Sequence, residues 1–284
     1  MSMHCLVLRL EGLLQAYGTR SRFSERDAAS HPTKSAVIGL LAAADGHDRA
    51  EHRTEGEDFL PLETLAQLRF GVRADRPGVF IQDFHTTGGG HYPLRPRDLI
   101  TDPRRAARAA PALEDATGNT FTTRVADSVP SWYGSPKNVA PDPTTGALTA
   151  GNTRRDPIVS TRWYLADAAF LAAVESPDRA LLTHLAQRLD EPRRLLWLGR
   201  KGCAPTHPVY QAIRRGDLET VLAAEPLLPR APQPRCSAWI ETTAPEAGAR
   251  QVNDQPLSFH SRHRAHAPRW EKRITLTPPR KGQS

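Results

Sequence analysis

The chain has 284 residues, of which 39% are hydrophobic, enough to form a core in one large domain or two small ones. Its 38 lysines and arginines exceed its 31 acidic residues, and the net charge of +7 suits a polyanionic partner such as nucleic acid or an acidic membrane surface. The longest apolar run, residues 36–44, is far shorter than the roughly 20 residues that cross a bilayer. We therefore expect no membrane span.

The N-terminus and the cysteines point to the cytoplasm. Arg9 interrupts the first apolar stretch and no small-residue cleavage site follows it, so we expect a mature cytoplasmic start rather than a leader. Cys5, Cys203 and Cys236 are too few and too scattered for a disulfide framework or a zinc knuckle. They are predicted to be buried, reduced thiols.

The chain opens with a strand and a helix. Residues 5–10 alternate with the period of two that is typical of a strand with one face on a core. A polar, arginine-rich loop follows, and residues 37–44 then place apolar side chains at helical spacing. Thr33 is the predicted N-cap of this helix, and Gly46 its predicted end.

A pair of strands and a long irregular segment come next. Residues 68–73 and 79–84 both alternate, and we predict that they form a hairpin. From residue 85 to about residue 158 the character changes, because nine of the 25 prolines fall there and no apolar period is legible. A stretch of this kind inside a compact domain is usually a functional excursion or partly disordered.

Residues 163–174 again predict a regular element. Alanines favour a helix and aromatic residues favour a strand, so the type of element stays open. Leucines between 181 and 189 predict an amphipathic helix, and a shorter helix begins at Asp217. The last predicted strands are residues 238–242 and 269–277. The order strand, helix, strand pair, strand, helix, strand is compatible with a ferredoxin-like sheet in an α+β fold.

No pattern predicts a cofactor, a metal or a catalytic carboxylate pair. There is no P-loop and no GxGxxG after a strand, and the triple glycine at 88–90 lacks a following helix. Three histidines between 260 and 266 are interleaved with arginines, whose charge opposes a divalent cation. Acidic residues such as Asp83 and Glu241 have no partner at a recognisable spacing. ATP or dinucleotide use is therefore not expected.

Residues 198–208 have the composition of a phosphate-binding turn. Gly199 and Gly202 let the backbone approach a phosphate that Arg200 and Lys201 neutralise. If both cations face RNA, replacing either weakens binding and leaves the fold unchanged. A plain basic turn is the alternative.

Residues 12–18 offer a second possible RNA contact. Tyr17 supplies a ring on which a base can stack, and Gln15 supplies an amide that can read a base edge. The alternative is a buried tyrosine in an ordinary loop.

Taken together, these stretches are similar to the CasD family, the Cas-five family of subtype I-E, which belongs to the CRISPR surveillance complex Cascade. The resemblance comprises four segments in family order: residues 8–18 (LRLEGLLQAYG), 32–41 (PTKSAVIGLL), 83–86 (DFHT) and 198–208 (LGRKGCAPTHP). They span about the first 210 residues, and the C-terminal part matches less clearly.

The resemblance implies an α+β fold with a ferredoxin-like, RRM-related domain, a long inserted thumb and a smaller C-terminal β-rich part. The implied boundaries are 1–85 with 159–190 for the RNA-binding core, 86–158 for the thumb, 191–276 for the C-terminal part that completes the fold and 277–284 for a disordered tail. Because the thumb is longer than is usual in the family, residues 96–150 are a candidate lineage-specific insertion.

The function implied is that of a non-catalytic, RNA-binding subunit of an antiviral, multi-subunit complex in the cytoplasm. Such a subunit caps the 5′ handle of CRISPR RNA and contacts the CasC backbone subunit and the CasA large subunit, while CasE cuts the RNA. Target DNA is met only indirectly, because pairing with the guide reads its sequence.

The candidate site residues follow from the residue types and this resemblance. For RNA they are Arg9, Gln15, Tyr17, Lys34, Ser35, His85, Arg200, Lys201, Cys203 and His207, with Arg154 and Arg155 as thumb contacts. Two other functions stay open. One is a metal-independent endoribonuclease that processes precursor RNA with Tyr17, Lys34 and His207. The other is a free-standing RNA chaperone.

Overall fold

The computed structural model describes residues 2–18, 21–22, 24–47, 59–87, 140–141, 148–149, 158–243, 245–260 and 263–280. The chain divides into two compact units, of which one comprises Met1–Asp83 and Thr161–Ser284 and the other Phe84–Ser160.

In chain order the elements are β1 (His4–Gln15), β2 (Ser21–Arg22), β3 (Glu25–Arg26), α1 (Lys34–Asp45), α2 (Leu62–Ala66), β4 (Arg69–Arg76), β5 (Val79–Thr87), β6 (Ala140–Pro141), β7 (Leu148–Thr149), β8 (Ile158–Ser176), α3 (Arg179–Asp190), β9 (Tyr210–Arg215), α4 (Leu218–Ala224), β10 (Cys236–Thr242), β11 (Ala249–Ser258) and β12 (Ala265–Leu276). Strands β6 and β7 pair with each other in the second unit.

An antiparallel sheet dominates the first unit. Its strands lie in the order β11-β12-β10-β4-β8-β1-β9, and every neighbouring pair along this path is antiparallel. The elements β1, α1, β4, β8, α3 and β9 follow one another as strand, helix, strand, strand, helix, strand. Their four strands are adjacent in the order β9-β1-β8-β4. A mixed fold of helices on an antiparallel sheet is thus confirmed.

Both faces of this sheet are covered. Leu6, Leu8 and Leu10 of β1 are at most 1% exposed and pack with α1 and α3 on one face. Cys5 and Val7 point the other way and pack with α4. Burial of each of the three leucines contributes about 2 kcal/mol, which fixes the register of β1 because a shift by one residue would exchange its two faces.

The predicted helix boundaries are confirmed. Thr33 caps α1 by accepting a hydrogen bond on its Oγ1 from the backbone N–H of Ala36 at 3.3 Å, and Gly46 ends the helix with a φ of 116°. Asp178 caps α3 by accepting from the N–H of Leu181 at 3.1 Å. The helix predicted to begin at Asp217 is α4, for which Asp217 is the N-cap.

The ambiguous run at residues 163–174 is part of strand β8. This strand pairs with β1 on one side and with β4 on the other, so its alanines are buried in the middle of the sheet. Pairing on both edges outweighs the helix propensity of alanine.

Three expectations about strands were wrong or incomplete. Residues 79–87 pair with β8 rather than folding back on β4, so the predicted hairpin does not form. Strand β9 was missed, and so was β11, whose polar sequence ARQVNDQPLS suits the end position that it occupies in the sheet.

Part of the segment expected to be a disordered tail packs on the fold. The carbonyl of Pro279 accepts a hydrogen bond from the N–H of Leu227 at 2.9 Å, and Pro278 is buried. Residues 277–280 therefore pack on the first unit, whereas residues 281–284 lie outside the described part of the chain.

The cysteines are buried free thiols, as predicted. Burial raises the pKa of Cys5 to about 12 and that of Cys236 to about 11, so both stay protonated at neutral pH. Across the described residues, no helix has the length and apolar character needed to cross a membrane.

Candidate nucleic-acid interface

The turn at residues 197–203, here called the glycine loop, packs against the end of β1. The N–H of Leu198 donates to the carbonyl of Cys203 at 2.7 Å, and the N–H of Ala16 donates to the carbonyl of Leu198 at 3.1 Å. Gly199 has a φ of 91°, and a β-carbon there would lie 2.0 Å from the carbonyl oxygen of Ala16. Only glycine allows this approach.

The segment after the glycine loop continues along β1. The backbone N–H and the Oγ1 of Thr206 both donate to the carbonyl of Glu11, at 2.9 and 3.1 Å. The N–H of Arg9 donates to the carbonyl of Val209 at 2.7 Å. Residues 8–18 and 198–208, which carried two of the family-like motifs, thus form one continuous surface.

The two cations of the glycine loop have different surroundings. The guanidinium of Arg200 donates to the carbonyls of Trp163 at 3.0 Å and of Asp27 at 2.7 Å, and it lies over the ring of Tyr164 at 5.3 Å. These contacts argue against the expectation that replacing Arg200 leaves the fold unchanged. Lys201 is exposed and has no side-chain partner among the described residues.

A group of charged side chains, here called the Glu11 cluster, lies on the α4 side of the sheet at this end. Its members are Arg9, Glu11, Arg76, Asp167, His207 and Arg230. The carboxylate of Glu11 accepts from Arg9 Nε and from Arg76, both at 2.8 Å. Arg230 lies 3.5 Å and His207 Nδ1 3.8 Å from the same carboxylate.

The electrostatics of the Glu11 cluster favour an anion. Burial opposes ionisation of Glu11, but hydrogen bonds from Arg76 and Arg9 lower the pKa of this carboxyl below its ordinary value. The carboxylate is therefore charged at neutral pH and holds the arginines in place. Three arginines face two carboxylates, so one positive charge is in excess, and the side chain of Arg230 is 66% exposed.

Backbone strain coincides with this cluster. Asp167 and Arg230 are the non-glycine residues with positive φ in the described part of the chain, at 51° and 63°. This conformation costs roughly 1–2 kcal/mol per residue, and such strain often accompanies functional sites.

The middle of the same sheet face is closed to bases. RNA-recognition modules of the RRM type stack bases on aromatic residues of an open sheet. Here the corresponding positions hold small and aliphatic residues such as Val7, Gly71 and Ala173, and α4 packs onto them. The exposed cations Lys201 and Arg230 lie at the strand end, outside this covered area.

Three predicted contact residues are buried beneath this surface. The hydroxyl of Tyr17 donates to Gln15 Oε1 at 2.7 Å, and Gln15 Nε2 donates to the carbonyl of Ala168 at 2.7 Å. Burial raises the pKa of Tyr17 well above its ordinary value, so the phenol stays neutral. Cys203 is 2% exposed. In this arrangement their side chains support the end of β1 and do not reach solvent.

Lys34 and Ser35 lie at the start of α1. The ammonium of Lys34 pairs with Glu241 of β10 at 2.9 Å, and its backbone N–H donates to Asp254 of β11 at 2.8 Å. Ser35 Oγ lies 3.2 Å from Thr33 Oγ1 in the N-terminal turn of the helix. Lys34 is 1% exposed and connects α1 to the C-terminal strands.

The remaining candidates belong to the second unit. His85 is half-buried there, and Arg154 and Arg155 lie outside the described residues. Sequence reasoning missed Arg76, Asp167 and Arg230. No local spacing identifies them, because their common feature is contact with Glu11 or with each other across the fold.

Comparison with known proteins identifies the family. The model of the family described as CRISPR-associated protein (Cas_Cas5) matches residues 5–271. Because this match covers most of the chain, the chain belongs to the Cas5 family, and the resemblance inferred from the sequence motifs is confirmed.

Individual relatives agree with this assignment. The chain is similar to the CRISPR system Cascade subunit CasD of Escherichia coli (strain K12), with 26% identity over 208 residues that cover 72% of this chain and 69% of the relative. Among solved structures, a chain of a CRISPR RNA-guided surveillance complex is 27% identical with a TM-score of 0.62, and the match covers 97% of this chain and 91% of the other. A crystal structure of a Cas protein is 28% identical with a TM-score of 0.59, covering 97% and 98%.

Proposed function

We propose that this chain is a non-catalytic, RNA-binding subunit of a type I-E Cascade antiviral complex and that it caps the 5′ handle of CRISPR RNA. Membership of the Cas5 family and the similarity to a Cascade subunit support a place in such a multi-subunit complex. The observation that carries the proposal is the meeting of residues 8–18 with residues 198–208 in one cationic surface.

RNA phosphates approach the exposed cations of this surface, Lys201 and Arg230, and the exposed imidazole of His207 lies near Arg230 beside Glu11. A β-carbon at Gly202 would have no neighbour within 4 Å, so the backbone there is open to a close ligand. Arg200 and Gly199 fix the shape of the loop from within, and Glu11 holds Arg9 and Arg76 in place. Fixed cations lose little conformational freedom when they bind a phosphate.

The buried candidate residues affect RNA binding indirectly, because they fix the shape of the surface that RNA contacts. Gln15, Tyr17 and Cys203 support the strand end and the loop, and Lys34 with Ser35 positions the start of α1. Contacts from His85, Arg154 and Arg155 in the thumb stay predictions.

The architecture supports a ferredoxin-like, RRM-related core. The order β9-β1-β8-β4 in the sheet reads 4-1-3-2 for the strands of a strand-helix-strand-strand-helix-strand unit, as a ferredoxin-like fold requires. Within this proposal, residues 86–158 form the thumb and residues 191–276 complete the fold. The partners are CasC and CasA, and target DNA is met through the guide.

An endoribonuclease finds less support. Tyr17 and Lys34, two of its three candidate residues, are buried in separate hydrogen-bond networks, and the phenol has a raised pKa. His207 is exposed, but its carboxylate neighbour Glu11 has a lowered pKa and is a poor proton acceptor. Precursor RNA incubated with the purified chain in EDTA should therefore stay intact, and cleavage that His207→Ala abolishes would favour the enzyme.

The function is tested by isolating the tagged chain together with its partners from cells that express the CRISPR locus. Sequencing of the bound RNA should return species that begin with the same repeat-derived 5′ end. A soluble monomer without CRISPR RNA would contradict the proposal and favour a free-standing chaperone.

A further inference from the structure

A second basic site lies at the start of β1, at the opposite end of this strand from the glycine loop. A cavity of about 470 Å³ is lined there by Ser2, His4, Arg179, Ile213, Arg214 and Arg215. Three of these six residues are arginines and none is acidic. Such a lining selects an anion.

The arginines come from two separate segments, the end of β9 and the start of α3. Arg215 is paired with His4 across the β1–β9 ladder, and Arg179 is the first residue of α3. Arg214 forms an ion pair with Glu225, which neutralises it in part. Within the described part of the chain, Arg179 and Arg215 are exposed and have no ion-pair partner. Two uncompensated charges therefore face this cavity.

A polar atom in the cavity wall also lacks a partner. Nδ1 of His4 is buried and has no hydrogen bond among the described residues. Buried polar atoms are nearly always paired, and His4 is one of the residues that line this cavity, so an anion bound there can supply the missing partner once the ring turns towards it. In the tautomer that carries its proton on Nδ1, the imidazole can donate to an anionic oxygen.

The chemistry of the lining points to a phosphate rather than a base. Ile213 is its one apolar residue, and the imidazole of His4 is its one aromatic ring, so the three arginine side chains outweigh the surface on which a base could stack. Arginine matches phosphate oxygens in charge and in geometry. The N-terminus of α3 is less decisive, because Asp178 already caps it.

Strand β9 connects the cavity to the segment that follows the glycine loop. The segment that contains His207 leads directly into β9, the end strand of the sheet path, and β9 ends at Arg215. From Tyr210 to Arg215 the strand advances about 17 Å, at about 3.3 Å per residue. An extended nucleic-acid strand can follow this edge from one site to the other.

We propose that the cavity binds phosphodiester groups of the RNA whose handle the glycine loop holds, so that the RNA runs along the edge of β9. This inference rests on the proposed function. It adds a second phosphate site formed by His4, Arg179 and Arg215, with Arg214 as a weaker contributor.

The test compares RNA of about 4 nucleotides with RNA of about 12 nucleotides, both within the range of site sizes of single-strand-binding folds. The short RNA is the 5′ part of the handle, and the long RNA extends it. Binding to the full chain is titrated with salt for the wild type and for the double variant Arg179→Ala, Arg215→Ala. The matched control is Arg235→Ala, Arg264→Ala, which removes two exposed arginines elsewhere.

The Arg179→Ala, Arg215→Ala variant should bind the long RNA more weakly, with a slope of log affinity against log salt that is smaller by about 1.4, or 0.7 for each lost phosphate contact. Its affinity for the short RNA should equal that of the wild type. An unchanged affinity for the long RNA, or a loss no larger than that of the control, would overturn the second site. A wild-type chain that binds neither RNA would instead overturn the proposed function.

Discussion

Asp167 and Arg230 form an ion pair, with Oδ1 and NH2 3.2 Å apart, and both residues have a left-handed backbone. The pair joins β8 to the segment after α4, and Arg76 and Glu11 contact it from β4 and β1. Because backbone strain often accompanies functional sites and the guanidinium of Arg230 is exposed, we propose that this geometry serves binding rather than stability.

Replacing Arg230 with glycine separates the effect of this residue on RNA binding from its effect on stability. Glycine adopts a φ of 63° without strain, and this gain offsets the loss of exposed ion pairs, which contribute about 0–1 kcal/mol. We expect the free energy of unfolding of Arg230→Gly to change by less than about 1 kcal/mol, while the salt slope of RNA binding falls by about 0.7. Asp167→Gly is the matched control, because it relieves similar strain but removes a negative charge. Asp167→Gly should strengthen RNA binding. A change of RNA affinity in the same direction for both variants would refute the electrostatic role of Arg230.

The glycines of the glycine loop should differ in their tolerance of alanine. At Gly199 an alanine combines a positive φ with a clash against the backbone of Ala16, so we expect a loss of stability of at least about 2 kcal/mol. At Gly202 the φ of 99° is unfavourable but no atom lies within 4 Å, so the loss should be about 1 kcal/mol. Urea unfolding of the two variants measures the difference. Equal losses would show that the contact with Ala16 is not as close as described.

Arg200→Ala should weaken the fold as well as any RNA contact. The guanidinium bridges the carbonyls of Trp163 and Asp27, and a hydrogen bond to a charged group contributes about 1.5–3 kcal/mol. We expect a loss of about 2 kcal/mol in urea unfolding. Arg235→Ala removes an exposed arginine and should stay within about 0.5 kcal/mol of the wild type. An unaltered melting curve for Arg200→Ala would restore the view of this residue as a surface contact.

Acid should weaken the C-terminal strands through Glu271. Burial raises the pKa of this carboxyl, but His31, Arg269 and Arg250 lower it, and the net pKa is about 2 against an ordinary 4.5. His31 Nε2 lies 3.8 Å from this carboxylate, and the guanidinium groups of Arg269 and Arg250 lie 2.8 Å and 3.1 Å from it, so three basic side chains surround it.

A depressed folded-state pKa gives stability that is present above pH 4.5 and is lost as the pH falls towards 2. The shift corresponds to about 3 kcal/mol, of which about 2 kcal/mol should be lost by pH 3. Glu271→Gln lacks this dependence, so the difference in free energy of unfolding between wild type and variant should narrow by that amount between pH 6 and pH 3. A constant difference over this interval would refute the low pKa of Glu271.

The parts of the fold that the sequence predicts are those with local causes. The caps Thr33 and Asp178 act within one turn, so the helices that follow them could be placed from spacing alone. Strand β8 could not be distinguished from a helix, because its burial comes from β1 and β4 on either side.

In the candidate site, too, some features have local causes and others depend on distant parts of the chain. Gly199 and Lys201 are recognisable from a short pattern, whereas the two carbonyls that Arg200 binds, those of Trp163 and Asp27, lie 37 and 173 residues away. The burial of Tyr17 and Lys34 and the contacts of Arg230 likewise depend on the packed sheet. A local pattern can therefore indicate a phosphate-binding turn but cannot tell which of its cations faces solvent.

The most direct test of RNA binding at the glycine loop is a salt titration of handle-RNA binding by the wild type and by Lys201→Ala. Lys201 is exposed and unpaired among the described residues, so its loss should leave unfolding within about 0.5 kcal/mol while it weakens binding and lowers the salt slope by about 0.7. Arg264→Ala is the control for loss of a charge elsewhere and should retain the wild-type affinity. An affinity and a slope of Lys201→Ala that equal those of the wild type would contradict RNA binding at this loop.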